Sequence, residues 1–155
     1  MVGDSEAWAS LWVVASPLDR DEFERWRTQS KSAAETAALA ADGGRHDRSC
    51  FLWAQAAQLA VKGLLHGLGL DAWGHDLTVL SARAAEALGK SWTAPEIQAA
   101  ARLSRHYIPT RYPDAHASGA PSSHYTEADT TQAESDARRI LDTVARSWTA
   151  LGGVR

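Results

Sequence analysis

The stretch from Asp47 to Leu68 constrains the fold more than any other part of the sequence. Drawn as a helix, it carries Cys50, Ala54, Ala57, Val61, Leu64, Leu65 and Leu68 on one stripe. Leu52, Ala56 and Leu59 widen that stripe on a flank, leaving one narrow polar line of Gln55, Gln58, Lys62 and His66. A helix apolar around most of its circumference is stable in water only when other helices cover it. The segment therefore belongs at the centre of a helical bundle, and Gly67 and Gly69 close it.

The rest of the chain supplies the covering helices. Alternating β-branched residues, the mark of strands, are absent over any useful length. A first helix is expected from about Asp19 to Ala41, with Asp19, Asp21 and Glu22 suiting its positive N-terminal end. Phe23, Trp26, Ala33, Ala37 and Ala41 share a face, and Gly43-Gly44 ends the helix. Asp76 is placed to cap a third helix spaced by Leu77, Leu80, Ala84 and Leu88. Thr93-Ala94-Pro95-Glu96 has the reciprocal capping pattern that starts a fourth, with Ile97, Ala100, Ala101, Ser104 and Ile108 as the inner face. Pro109, Pro113, Gly119 and Pro121 forbid long regular structure before Tyr125, and a connection of that length usually has a job. Thr126 and Asp129 then open a final amphipathic helix marked by Ala133, Ala137, Ile140, Leu141, Val144 and Trp148. The expectation is an all-α, up-and-down bundle of about five helices over residues 19–155. Residues 1–18 form an extension that fits none of these units.

At 155 residues the chain fits one domain with a core that needs no metal or disulfide staple. Its one cysteine, Cys50, lies among Phe51, Leu52 and Trp53, so a buried, inert thiol and a reducing cytoplasm are expected. No run approaches the roughly 20 apolar residues of a membrane span. The apolar piece Ala7–Ala15 follows Asp4 and Glu6 rather than the basic start of a secretory signal. The six histidines show no ligand spacing with carboxylates, so neither metal nor cofactor is expected. Most of the seven tryptophans read as core or dimer interface. With a formal net charge of −3, attraction to nucleic acid has to come from a local patch. Such a patch exists: Arg102, Arg105 and Arg111 lie between Glu96 and Asp114 with no acid among them.

Several segments, in order, resemble the HEPN domain family. Phe51-Leu52-Trp53-Ala54-Gln55-Ala56-Ala57-Gln58-Leu59-Ala60-Val61-Lys62-Gly63-Leu64-Leu65 looks like that family's central helix. Gly74-His75-Asp76-Leu77 is similar to its step into the third helix. Tyr107-Ile108-Pro109-Thr110-Arg111-Tyr112-Pro113-Asp114-Ala115 resembles its Tyr-x-Pro-Thr-Arg-Tyr-Pro-Asp segment, and Tyr125-Thr126-Glu127-Ala128-Asp129 the start of its last helix. The resemblance spans roughly residues 20–148 and implies a four- or five-helix bundle, commonly a homodimer. It implies either of two functions. Many members are metal-independent ribonucleases using an Arg followed shortly by a His, encoded as toxins beside a minimal nucleotidyltransferase antitoxin. Others lack that pair and bind nucleotides or proteins. A fold shared by both leaves function to the site.

Arg111 and His116, with four residues between them, match the ribonuclease spacing. Cleaving RNA without metal needs proton transfer, which histidine performs near neutral pH, and positive charge on phosphate, which a guanidinium supplies as a fork. Residues five apart on a regular helix point about 140° from each other. Pro113 offers a way around this if it is a first helical residue and leaves Arg111 outside. Tyr112 stands where the family usually has a polar residue. Ser118 stands where some members carry an adenylylated Tyr. Arg102 and His106, four apart on one helix face, are an alternative pair. Arg102, Arg105, Tyr107, Tyr112, Lys62 and Gln58 are expected around a nucleotide or RNA strand, the tyrosines stacking on bases. The plainer readings are an Arg111–Asp114 ion pair, a solvated His116, tyrosines that pack the loop onto the bundle, and a His75 that bonds backbone.

Overall fold

The computed structural model describes residues 17–153. They form five helices: α1 Arg20–Asp42, α2 His46–Gly67, α3 Leu77–Leu88, α4 Ala94–Ser104 and α5 Glu127–Ala150. Two single 3₁₀ turns, Pro113–Ala115 and Pro121–Ser123, precede α5. No strand occurs among the described residues, so the chain folds as the all-α bundle its periodicity calls for. No described helix is long and apolar enough to cross a membrane. Residues 1–16, most of the expected extension, lie outside the described residues, whereas Leu18 already packs on the core.

Helix α2 is the shaft of the bundle and packs against all four other helices. Cys50, Ala56, Ala57, Val61, Leu64 and Leu65 are fully buried along it. Gly63 and Gly67 set how closely its neighbours approach. A Cβ at Gly63 would stand 2.8 Å from Trp26 Cβ, and one at Gly67 would stand 2.6 Å from Trp148 Cζ3. Trp148 in turn stacks on Phe23 at 3.9 Å, joining α1 to α5 over the end of α2.

The helix starts follow their capping residues. Asp19 Oδ1 accepts from Glu22 N at 3.0 Å, and Asp76 Oδ1 from Thr78 N at 2.9 Å. Thr93 N donates to Glu96 Oε2 at 2.6 Å, and Thr126 N to Asp129 Oδ2 at 2.7 Å. Each bond satisfies an amide that has no intrahelical acceptor.

The inner face of α4 differs from the expected one. Ile97 is exposed, Ile108 lies beyond the helix end, and the buried residues are Glu96, Ala99, Ala100 and Leu103. Glu96 turns inward because it has two jobs. Its Oε2 caps the helix, while its Oε1 accepts from the Thr143 hydroxyl at 2.7 Å on α5. Rotating the helix to bury that carboxylate carries Ile97 outward.

Candidate functional site

The backbone does not run straight on after Ser104. Arg105 N and His106 N bond to the carbonyls of Arg102 and Leu103, a tightening of the last turn. Buried Thr110 donates its hydroxyl to the His106 carbonyl, and Arg111 N bonds to Ile108 O at 3.0 Å. This extra turn brings Arg111 back over Tyr107, and Arg111 Nε donates to Tyr107 O at 2.7 Å. The guanidinium carbon stands 4.3 Å from the centre of the Tyr107 ring, 4.9 Å from Phe51 and 5.1 Å from Tyr112. Rings cover the faces of the cation and leave its in-plane N–H groups as the open edge, the edge that matches phosphate oxygens. No carboxylate among the described residues pairs with Arg111, so the ion pair with Asp114 does not form.

Arg111 lines a cleft of about 190 Å³ together with Phe51, Ala54, Gln55, Gln58, His75 and Tyr107. Phe51, Ala54, Gln55 and Gln58 come from successive turns of α2, spaced so that they share one face. Gln58 is only 7% exposed, a polar side chain held at the cleft floor by the packing of α2. His75 arrives from the loop between α2 and α3. That loop is anchored at one end by Arg83 Nη2 donating to Asp71 O at 2.7 Å, and at the other by the Asp76 cap. Gly74 makes the turn into His75 with φ +90°, a left-handed conformation favouring glycine. The His75 ring bonds no described backbone group. It stacks on Tyr107 at 4.6 Å with 17° between planes.

The other expected residues lie elsewhere. His116 does not line the Arg111 cleft. Pro113 is indeed the first residue of a turn, but a 3₁₀ turn that leaves His116 extended beyond it. His116 Nε2 lies 2.7 Å from the Pro109 carbonyl, which only accepts, so Nε2 is the donor in that bond. The ring stacks on His124 at 4.2 Å and 3° and meets Tyr125 edge-on. His124 Nε2 likewise donates to Ser118 O at 2.6 Å.

Arg102 is engaged by buried Asp136 through two bonds of 2.8 and 2.7 Å. Its guanidinium pKa is raised by those bonds, which outweigh the opposing effect of burial. His106, its proposed mate, is held toward the neutral form chiefly by burial and packs edge-on to Tyr125. Lys62 is half-buried one turn beyond Gln58, outside the cleft lining, and burial lowers its pKa. Arg105 is exposed. Cys50 is a buried thiol, its pKa pushed up to about 11 mainly by burial. Trp53, Trp92 and Trp148 are core, whereas Trp73 is 84% exposed two residues before His75.

Tyr107 has a consequence for base stacking. A guanidinium and an imidazole at such distances from one ring occupy its two opposite faces, so neither face is open to a base. Tyr112, 46% exposed, keeps surface available, while Tyr125 is half-buried against histidines. Sequence reasoning passed over His75 and Phe51 as site residues. The Gly74-His75-Asp76-Leu77 step held a signal for His75, since a helix cap next to an aromatic fixes where that aromatic points.

A family model described as HEPN domain matches residues 23–148. The chain belongs to the HEPN domain family. A crystal structure of TT1696 from Thermus thermophilus is 34% identical, with a TM-score of 0.77 over 81% of this chain and 97% of that one. ST0689, described as an archaeal HEPN homologue, is 36% identical, with a TM-score of 0.68 over 80% of this chain and 95% of that one. An HEPN domain protein of Thermotoga maritima, tm0613, shares the fold at 21% identity and a TM-score of 0.65, over 81% and 98% of the two chains. No curated protein matches. In this HEPN domain Tyr107 and Arg111 build one side of a cleft whose other side is the central helix α2.

Proposed function

We propose that this HEPN domain binds the phosphate of a ribonucleotide, free or within RNA, through Arg111 in the cleft shared with Gln55, Gln58, His75 and Tyr107. The observation that carries the proposal is the state of the guanidinium. It is braced by aromatic rings and the Tyr107 carbonyl, free of any carboxylate partner among the described residues, and it lines a cleft that also holds two glutamine amides. A cation held this way has already lost its side-chain freedom and much of its hydration before a ligand arrives. The amides of Gln55 and Gln58 supply donors and acceptors for a sugar or base edge. Calorimetric titration with AMP and with a short single-stranded RNA tests the reading. Saturable binding lost in Arg111→Ala, with the thermal melt unchanged, supports it; no heat with any ribonucleotide sinks it.

Metal-independent RNA cleavage is a second function, favoured by one observation. The Nδ1 atom of His116 is uncommitted, because its Nε2 is the proton donor to Pro109 O. Arg111 and His116 belong to different surroundings within one protomer, so cleavage calls for a homodimer in which one subunit's imidazole meets the other's guanidinium. In that case the chain is a toxin-like cytoplasmic ribonuclease, and a minimal nucleotidyltransferase antitoxin is the partner that fits. RNA cleavage that resists chelators and disappears in both Arg111→Ala and His116→Ala is the supporting result. Intact RNA at protein concentrations where sedimentation finds a dimer excludes it.

A further inference from the structure

The stack His75–Tyr107–Arg111 has a geometry that a lone phosphate does not need. Tyr107 separates a guanidinium from an imidazole, and the two stacking distances laid end to end put their centres at most about 9 Å apart. Both groups line the same cleft. Neither the ring nitrogens of His75 nor the terminal nitrogens of Arg111 have a hydrogen-bond partner among the described residues. His75 is a placed group rather than a dangling one. Its loop is anchored by Arg83 on Asp71 O and by the Asp76 cap, and its ring plane is set by Tyr107.

We infer that His75 is a second ligand-contacting residue, and that the cleft is built for two successive phosphates of a ribonucleotide strand, one on Arg111 and the next on His75. The inference rests on the Arg111 reading above and adds the ligand's length. A single phosphate reaching both donors has to bridge around the edge of the intervening Tyr107 ring. The phosphates of a nucleoside diphosphate share one bridging oxygen and sit side by side, which matches neighbouring donors rather than donors on opposite faces of a ring. A ribose between two phosphates supplies the separation. The cleft volume of about 190 Å³ holds only part of such a strand. The bases therefore lie outside, near Tyr112 and Trp73, which are exposed. Aromatic surfaces beside a cationic track are how single strands are held without base readout.

The experiment compares three probes by calorimetry or fluorescence anisotropy at one salt concentration: AMP, ADP and the 5′-phosphorylated dinucleotide pApA. Wild-type protein is expected to bind pApA about tenfold more tightly than AMP or ADP, the worth of one hydrogen bond to a charged group. His75→Ala is expected to remove that advantage and bring pApA to the AMP level, so that pApA loses more affinity than AMP does. His75→Gln, which keeps a donor, should restore part of the advantage. Equal affinity for pApA and AMP, tighter binding of ADP, or an equal loss for AMP and pApA in His75→Ala overturns the inference while leaving Arg111 as the phosphate site. Failure of every probe to bind, or binding indifferent to Arg111→Ala, overturns the function proposal itself.

Discussion

At the scale of single residues, the arginines of the basic segment divide by what already holds them. Arg102 and Arg111 look equivalent in sequence, but one bridges to a carboxylate that is 2% exposed and the other is held by rings and a backbone carbonyl. The Arg102–Asp136 bond pair ties α4 to α5, and Gln132 adds a third donor to the same carboxylate at 3.1 Å. Removing the arginine strands a buried negative charge, which is more costly than losing the contact alone. Arg102→Ala is therefore expected to lower unfolding free energy by about 2–3 kcal/mol, less than for a fully buried pair because Arg102 is partly exposed. Urea melts measure this. Arg111→Ala, in contrast, removes no carboxylate's partner and should leave the midpoint nearly where it was. If Arg102→Ala melts like wild type, Asp136 has another means of satisfying its charge.

At the scale of elements, Glu96 decides how α4 sits. Burial works to raise its pKa, but bonds from Thr143 and Thr93 and the nearby Arg146 outweigh that and leave it below the usual carboxylate value. A depressed folded-state pKa means the carboxylate contributes stability above its unfolded value, about pH 4.3, and loses it as pH falls through the folded value. Glu96→Gln should thus lower stability at pH 7, and the gap to wild type should narrow through the acid limb below about pH 5. Parallel pH–stability curves would show that Glu96 acts by shape rather than charge. This element also marks where sequence reading stops. Helix α2 was legible because its apolar stripe is wide and unbroken, and the caps at Asp76, Thr93 and Thr126 because capping is local chemistry. The inner face of α4 was not, since Glu96 is drawn inward by Thr143, a residue far along the chain. The site shows the same division. The sequence singles out Arg111 and Tyr107 from one segment, whereas Phe51 and His75, which join them at the cleft, come from two other segments that only packing unites.

At the scale of the whole molecule, one shaft passes through everything described. Cys50 sits on it, fully buried, with its thiol held protonated at neutral pH. No local opening of a loop exposes that sulfur, because four helices enclose α2. Labelling of Cys50 by an aromatic disulfide reagent is expected to be slower in native protein than in urea by orders of magnitude. Its dependence on urea should follow the slope of global unfolding rather than a shallow one. A shallow dependence would mean that α2 is reached through a smaller fluctuation, and the bundle would then be two cooperative units.

The proposed cleft also takes its floor from that shaft, since Gln55, Gln58 and Phe51 project from α2. Anything gripping those side chains braces the same helix that every layer of the fold leans on. Occupancy should consequently be felt as resistance to heating of the entire protein, growing with the logarithm of ligand concentration. The molecule is in that sense its own reporter: a melting screen across dinucleotides of every sequence would rank its natural cargo with neither a label nor a cleavage assay.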